Sequence, residues 1–176
     1  MEEELSIDEQ IVSFRGATTD LSEKDKAILG HEAAVVNHLY QQLHSPNHKV
    51  FFDNVFTTYN LLELLAAKKI YAAGTARVSR FAKPPLMSDK EMSKRGRGNH
   101  YQVRSRDGKV VLTKWFDNRT VVISSNFVGV GKDQVERWDQ QRRSFVKIQH
   151  PECVMRYNQA MGGVDKLNHL ISQDRY

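Results

Sequence analysis

Apolar positions in the first half of the chain follow two spacings that alternate along the sequence. Residues 5–14, 50–52 and 70–75 are either continuously apolar or alternate between apolar and polar side chains, and they predict strands. Between them, residues 22–43 and 57–69 carry apolar side chains at helical spacing and predict amphipathic helices. Strands that alternate with helices in this way favour an α/β domain.

The second half of the chain begins with a predicted run of strands. Residues 101–105 and 109–115 flank an Asp-Gly pair, which is a strong signal for a β-hairpin. A second turn follows at Asp117, and residues 121–125 continue the meander. Residues 76–99, which separate the two halves, combine positive charge with proline and glycine and predict an exposed loop or extended arm.

Two helices are predicted after these strands. Pro151 suits the first turn of a helix, and Gly162 and Gly163 are expected to end that helix. A last helix then starts near Asp165, with its apolar residues on one face.

Composition restricts the class of protein. The chain has 176 residues, enough for one domain with a substantial core, and its 40% apolar and 27% charged residues are typical of a soluble globular protein. No apolar run approaches the roughly 20 residues needed to cross a bilayer, and the acidic N-terminus lacks the features of a signal peptide. Cys153 is the only cysteine, which excludes an intrachain disulfide, and no zinc-binding spacing is present. We expect a protein of the cytosol or nucleus without a membrane partner.

Charge is distributed unevenly along the chain. Residues 1–25 hold eight acids and two bases, a net charge of −6, whereas residues 77–109 hold ten bases and three acids, a net charge of +7. A positive segment of this size is the electrostatic footprint expected of a protein that contacts a phosphate backbone. A solvated basic loop is the alternative interpretation.

Two aspartates are candidates for metal chemistry. Asp53 ends the apolar run at residues 50–52, and Asp165 opens the last predicted helix. Two carboxylates that converge repel each other unless a divalent cation lies between them, which is the arrangement of two-metal phosphoryl chemistry. Each also has a simpler interpretation, because acids are common in turns and at helix starts.

Other polar and aromatic residues receive structural interpretations. Asp117 is interpreted as a turn residue, and Trp115 and Trp138 as packing residues rather than platforms for nucleic-acid bases. Cys153 has no evident base partner, so we do not expect a nucleophile. The sequence contains no glycine-rich phosphate loop.

Seven blocks of the sequence together resemble the transposase domain of the piggyBac family. They occur in the order of that family and extend over nearly the whole chain, and they look most like the domesticated, transposable-element-derived members of animal genomes. The blocks are LSIDE (5–9), HKVFFDNVFT (48–57), GTAR (74–77), RGRG (95–98), VLTKWFDN (111–118), VERW (135–138) and YNQAMGGVD (157–165).

This resemblance implies an RNase H-like catalytic core with an inserted β-rich region, here residues 76–150. It also implies three catalytic aspartates that bind Mg²⁺ or Mn²⁺ and cleave DNA by hydrolysis and transesterification. By matched motif, Asp53 takes the place of the second acid and Asp165 that of the third, and both are expected to be catalytic metal ligands.

The chain departs from the family pattern in three places. Asn168 stands where family members usually carry a further acid. Gly16 runs directly into Ala17, so the block that bears the first catalytic aspartate is missing, and the partial core is expected to lack one of three acids. The C-terminal zinc finger of many family members is also absent from the sequence.

Three hypotheses follow, in this order. The first is an incomplete piggyBac-like domain over residues 1–176 with impaired catalysis, which acts in the nucleus on DNA, either a transposon-end-like or a non-specific sequence, and is expected to form a homodimer. The second is an active metal-dependent strand transferase in which Asp8, Asp20 or Asp117 replaces the absent acid. The third is a decayed fragment without function. In the first hypothesis the DNA-binding residues are Arg77, Arg80, Lys94, Arg95 and Arg97.

Overall fold

The computed structural model describes residues 4–7, 21–41 and 48–173, and gives only the backbone for Glu4 and for residues 163–173. The strands are β1 (Glu4–Ile7), β2 (Lys49–Phe52), β3 (Tyr71–Thr75), β4 (His100–Arg104), β5 (Val111–Phe116), β6 (Thr120–Ser125), β7 (Gln134–Asp139) and β8 (Ser144–Gln149). The α-helices are α1 (Glu23–Leu29), α2 (His31–Gln41), α3 (Tyr59–Ala67), α4 (Asp89–Arg95) and α5 (Glu152–Gln173).

Six of these strands form one mixed sheet in the order β1-β2-β3-β6-β5-β4. The first three run parallel to one another, and β6, β5 and β4 continue the sheet by antiparallel pairing. Strands β7 and β8 form a separate antiparallel hairpin. Parallel strands connected through helices confirm the α/β prediction.

The parallel half of the sheet is buried on both faces. On one face, α3 packs Leu61, Leu62 and Leu65 against the buried Phe52 of β2. Helix α3 starts where the sequence predicts, because the Thr58 side chain accepts a hydrogen bond from the Leu61 amide at 3.2 Å. Burial on both faces explains why β2 reads as a continuous apolar run.

Helix α5 covers the opposite face of the same strands. Met161 packs with Phe51 of β2 and Ala73 of β3, and the Ser6 hydroxyl of β1 donates to the Ala160 carbonyl at 3.0 Å. The predicted helix end at Gly162 is wrong, since α5 continues without interruption to Gln173. A glycine inside a helix costs about 1 kcal/mol relative to alanine but does not force the helix to end.

The predicted helix over residues 22–43 is divided into α1 and α2. Gly30 adopts a φ of 84° between them, a left-handed conformation that ends α1. Ser22 takes the N-cap position of α1, but its side chain makes no capping hydrogen bond. The strand predicted over residues 5–14 is seen as β1, and residues 8–20 lie outside the described residues.

The segment from 76 to 99 is more ordered than the predicted arm. It contains a short 3₁₀ turn, Val78–Arg80, and the helix α4, which begins with a capping box between Ser88 and Glu91. The Nζ atom of Lys114 lies 2.6 Å from a carboxylate oxygen of Asp89 and fastens α4 to β5. The exposed-arm prediction is therefore wrong for this helix.

The hairpin β7–β8 contributes to a second, smaller core. This cluster joins Trp115 and Ile123 of the main sheet to Ile148 of β8 and to Cys153 of α5. Residues 76–150 are rich in strands, but β4, β5 and β6 belong to the main sheet, and the insertion assigned to this segment stays a prediction. Among the residues with described structure, no helix is both long and apolar enough to span a bilayer.

Candidate catalytic carboxylate and its surroundings

Asp53 lies immediately after β2, at the carboxyl edge of the parallel strands, and is half-buried. The Thr75 hydroxyl at the end of β3 donates to Asp53 Oδ1 at 2.7 Å. The side-chain nitrogen Nδ2 of Asn54 lies 3.2 Å and 3.3 Å from the two carboxylate oxygens of Asp53. The carboxyl edge of parallel strands is where α/β proteins commonly bind ligands, so the carboxylate is both fixed and reachable.

The backbone that follows Asp53 is held in a tight turn. The Phe56 amide and the Thr57 hydroxyl donate to the Asp53 carbonyl at 3.1 Å and 2.9 Å. Phe56 and Thr57 are both fully buried. The turn therefore restrains the backbone of Asp53 at the end of β2.

Two arginines that the sequence assigns to DNA contact this turn. Arg77 Nε donates to the Asn54 side-chain oxygen at 2.6 Å. Arg80 Nη1 donates to the carbonyl oxygens of Asn54, at 3.2 Å, and of Val55. The structure thus brings Arg77 and Arg80 to the same edge as Asp53 and adds two positive charges there.

Thr75 and Tyr157 are polar residues near Asp53 that sequence reasoning did not single out. The Tyr157 hydroxyl of α5 lies 3.5 Å from the Thr75 hydroxyl, which in turn contacts Asp53. Both residues fall inside blocks that carry the family resemblance, and this is the signal that could have identified them. Together they connect α5 to the carboxylate through a chain of hydroxyl groups.

Asp165 lies in α5, and the structure describes its backbone but not its side chain. It follows Tyr157 by eight residues, a rise of about 12 Å along an α-helix. Convergence of Asp53 with Asp165 therefore stays a prediction, as do their roles as catalytic metal ligands.

The donors around Asp53 can be compared with the requirements of a divalent metal site. Mg²⁺ prefers several oxygen ligands in near-octahedral geometry, and two-metal sites need more than one carboxylate. Within the part of the chain that the structure describes, no group of three or more His, Cys, Asp and Glu side chains could hold a metal ion. The described donors near Asp53 do not by themselves make such a site, and binding of Mg²⁺ or Mn²⁺ stays a prediction.

Asp117 has a structural role. Arg97 Nε donates to its Oδ1 at 2.7 Å, and Arg137 Nε donates to its Oδ2 at 2.9 Å. Burial alone would raise the pKa of Asp117, but hydrogen bonds from Arg137 and Arg97 outweigh it and hold this pKa below its ordinary value. Asp117 thus joins the turn after β5 to β7 and to the loop after α4.

The position of Asp117 does not suit a replacement for the absent acid. Asp117 follows β5, and the sheet order places β3 and β6 between β5 and β2. Three strand spacings amount to about 14 Å. This distance is too large for Asp117 to share a cation with Asp53, and both of its oxygens already accept hydrogen bonds from arginine.

The five residues predicted to bind DNA occupy three places. Arg77 and Arg80 lie on the turn beside Asp53. Lys94 and Arg95 are exposed in the last turn of α4. Arg97 is tied to Asp117 and to the Trp138 carbonyl, which its Nη1 reaches at 3.0 Å. Their role in DNA binding stays a prediction.

The structural interpretations of the aromatic residues and the cysteine have different outcomes. Trp115 is buried, and its Nε1 donates to the Gln149 carbonyl at 2.9 Å, so packing is confirmed. Trp138 is 50% exposed, and its ring contacts that of Phe145. Cys153 is fully buried, and burial raises its pKa to about 11, which agrees with a thiol that is no nucleophile.

Known proteins match the chain in sequence and in structure. A family model described as Transposase IS4 matches residues 11–176. PiggyBac transposable element-derived protein 3 of Homo sapiens is 32% identical over 137 residues, which are 76% of this chain and 23% of that protein. PiggyBac transposable element-derived protein 2 of Homo sapiens is 30% identical over 125 residues, 70% of this chain and 21% of that protein. The chain thus spans less than a quarter of the length of these two relatives.

A solved structure shares the fold. The cryo-EM structure of the piggyBac transposase synaptic complex with hairpin DNA superposes with a TM-score of 0.60 and 22% sequence identity, over 90% of this chain and 30% of that one. The mixed sheet with helices on its faces is consistent with the RNase H-like core that the sequence resemblance implies. The extent of the family match and the identity to the human relatives show that this chain belongs to the IS4-type transposase family, among its piggyBac-derived members.

Proposed function

We propose that the chain is a transposable-element-derived domain that binds DNA and cleaves it weakly or not at all. One observation carries this proposal. The described carboxyl edge of the parallel strands presents the single carboxylate of Asp53 beside the guanidinium groups of Arg77 and Arg80. An edge with more positive than negative charge favours phosphate binding over the capture of two cations.

The arginines at this edge are prepared for phosphate. A guanidinium carries five N–H donors, and the contacts with the Asn54 turn engage Nε of Arg77 and Nη1 of Arg80. These contacts restrain both side chains before a ligand arrives, so less side-chain entropy is lost on binding. The exposed Lys94 and Arg95 extend the basic surface onto α4.

The family resemblance implies that one acid of three is absent, and cleavage is then expected to be impaired. A divalent cation, when bound, activates the attacking water or 3′-hydroxyl and stabilises the leaving oxygen. Asp53 is held in place for such a role by Thr75, and Asp165 of α5 is the proposed second ligand. Two carboxylates bind one Mg²⁺ only loosely, because this ion gives up its waters reluctantly.

Binding to a labelled DNA duplex at several salt concentrations tests the first half of the proposal. The logarithm of the affinity should fall linearly with the logarithm of salt concentration. The double variant Lys94→Gln, Arg95→Gln should reduce the steepness of this slope by about 2 if both residues contact phosphates. The charge-matched control Lys24→Gln, Lys132→Gln should leave the slope unchanged. Equal slopes for the two variants would remove α4 from the interface, and the absence of salt-dependent binding would refute the proposal.

The parallel register of β1 and β2 favours a second candidate function, that of an active strand transferase. Ile7 lies opposite Phe52, and the residues that follow them in the sequence are Asp8 and Asp53. Asp8 itself lies outside the described residues. In this candidate Asp8, the residue that follows Ile7 in the sequence, takes the role of the absent acid.

Variants separate the two candidates. If the chain cuts a terminal-repeat duplex with Mn²⁺, Asp8→Asn should abolish cutting as completely as Asp53→Asn does. Asp20→Asn and Asp117→Asn serve as comparisons, because they remove the other acids considered as replacements. Cutting that survives Asp8→Asn would exclude this residue as the third ligand.

A nuclear location and a homodimer belong to the same proposal. DNA chemistry requires access to the nucleus, and the basic clusters are suited to import. Fluorescence of a tagged chain in cells and sedimentation of the purified chain test these two points. A purified chain without a cooperative unfolding transition would support the alternative of a decayed fragment.

A further inference from the structure

The hairpin β7–β8 carries two large aromatic side chains that the protein leaves in solvent. Trp138 is 50% exposed and Phe145 is 66% exposed. They are cross-strand partners, with ring centroids 5.2 Å apart and an interplanar angle of 72°. Tryptophan is enriched at binding surfaces, so this exposed pair is a candidate contact surface.

A cavity of about 560 Å³ opens beside Trp138. This volume lies in the range of sites that bind small molecules or single chemical groups. Its lining combines one aromatic ring, three uncharged amides, one cation and one acid. The lining residues are Arg97, Asn118, Trp138, Asp139, Gln140 and Gln141.

The walls of this cavity are held in place before any ligand binds. The Arg97 guanidinium is fixed by Asp117 and by the Trp138 carbonyl. Asp139 Oδ1 accepts hydrogen bonds from the backbone amides of Gln141, at 2.9 Å, and Arg142, at 3.0 Å. These bonds order the tip of the hairpin, where the Gln140 and Gln141 side chains stay exposed.

The chemistry of the lining fits a nucleobase better than a phosphate. An indole ring offers a face on which any base can stack, and side-chain amides match the donors and acceptors on base edges. The carboxylate of Asp139 in the wall repels a phosphate, whereas it can accept a hydrogen bond from an exocyclic amine. Arg142 and Arg143, exposed at the hairpin tip, supply positive charge outside the cavity.

We propose that this cavity binds one unpaired nucleobase of a DNA strand, which stacks on Trp138 and bonds to the amides of Asn118, Gln140 and Gln141. The flanking phosphates contact Arg142 and Arg143. This inference rests on the proposed DNA-binding function and adds a preference for unpaired nucleotides over a blunt duplex. A base inside a duplex is stacked between its neighbours and cannot enter the cavity.

Fluorescence anisotropy on the full chain tests the preference with two labelled probes. One probe is a blunt duplex, and the other is the same duplex with a four-nucleotide single-stranded overhang. The wild-type chain should bind the overhang probe about tenfold more tightly, the effect of one base–aromatic stack. Trp138→Ala should remove this preference without changing affinity for the blunt duplex, and Trp138→Phe should retain most of it.

Tyr71→Ala is the matched control, because Tyr71 is a 45% exposed aromatic residue on β3, outside the hairpin. It should keep the full preference. The double variant Gln140→Ala, Gln141→Ala should reduce differences among overhangs that end in different bases while overhang binding persists. Unfolding curves of all variants show whether each one folds like the wild-type chain.

The outcomes separate this inference from the proposed function. Equal affinity of the wild-type chain for both probes overturns the nucleobase site and leaves DNA binding intact. No binding to either probe overturns both. If Trp138→Ala keeps the preference but shifts the chain to a smaller species in sedimentation, the aromatic pair contacts a second copy and the nucleobase site is overturned.

Discussion

The parallel strands around Asp53 and the hairpin β7–β8 are held in place by different forces. Strands β2 and β3 lie between α3 and α5 and are fixed by apolar burial on both faces. The hairpin shares one small apolar cluster and depends on Asp117, which receives hydrogen bonds from Arg97 and Arg137. The comparison predicts that the strands bearing the candidate catalytic residue resist change through packing, while the stability of the hairpin depends on charge and pH.

The largest expected effect comes from Gly74→Ala in β3. A Cβ atom at this position would lie 2.4 Å from the Phe52 carbonyl oxygen and 2.4 Å from Thr57 Oγ1. The strands cannot separate without disrupting the core, so the free energy of unfolding should fall by about 3 kcal/mol or more. Urea denaturation measures this change.

Gly162→Ala in α5 is the control for that substitution. A Cβ atom at Gly162 meets nothing within 4 Å. Alanine restricts the unfolded chain and suits a helix, so the free energy of unfolding should rise by about 0.5–1 kcal/mol. A similar loss of stability in both variants would contradict the packing argument for β2 and β3.

Asp117→Asn should have the next largest effect. The substitution leaves two arginines, Arg97 and Arg137, without their carboxylate partner. Because all three side chains are partly exposed, we expect a loss of about 2 kcal/mol, concentrated in the hairpin. Hydrogen exchange of β7 and β8 amides should rise more than that of β2 and β3.

Asp107→Asn is the matched control, because Asp107 pairs with Lys109 at 3.3 Å in an exposed turn. Its loss should leave hydrogen exchange in β7 and β8 unchanged. Equal exchange across both regions in Asp117→Asn would show that the hairpin does not depend on this ion-pair group.

The hairpin should also lose stability in acid. Burial raises the pKa of Asp117, but the hydrogen bonds from Arg137 and Arg97 lower this pKa by a larger amount. The pKa of Asp117 in the folded state therefore lies below its value in the unfolded state. A depressed carboxylate pKa contributes stability above the unfolded pKa of about 3.9, and this contribution disappears as pH falls through the folded value. The stability difference between wild type and Asp117→Asn should therefore be constant near neutral pH and shrink below about pH 4. A constant difference down to pH 2 would contradict this account.

Thr75→Val and Tyr157→Phe should have the smallest effects of this series. Thr75→Val removes the hydroxyl that donates to Asp53 Oδ1 at 2.7 Å, and the expected loss is about 1 kcal/mol because Asp53 is half-buried. Tyr157→Phe, whose hydroxyl lies 3.5 Å from that of Thr75, should cost less. Chemical denaturation of both variants gives the comparison, and a larger loss for Tyr157→Phe would reverse the assigned order.

Local sequence signals account for much of the parallel half of the sheet. The apolar run of β2 and the Thr58 cap of α3 are local features, and the structure contains both elements. The Ser88–Glu91 capping box is an equally local signal for α4, but the prediction of an exposed arm over residues 76–99 used only the proline, glycine and positive charge of that segment.

Features that depend on distant partners could not be predicted in this way. Gly30 ends a helix in a left-handed conformation, whereas Gly162 continues one although a second glycine follows it. Arg97 belongs to a basic cluster in the sequence, but its partner Asp117 lies 20 residues away. Exposure of Trp138 likewise depends on how β7 and β8 meet the main sheet.

Strand cleavage under saturating binding tests the central claim most directly. The full chain is bound to an end-labelled terminal-repeat duplex, Mn²⁺ is added, and bound and cut DNA are measured in the same samples for wild type and Asp53→Asn. We expect both proteins to retain the duplex in a salt-sensitive complex and wild type to release little or no more product than Asp53→Asn. Conversion of most of the bound duplex to product by wild type, but not by Asp53→Asn, would show a competent metal site and would contradict weak or absent cleavage.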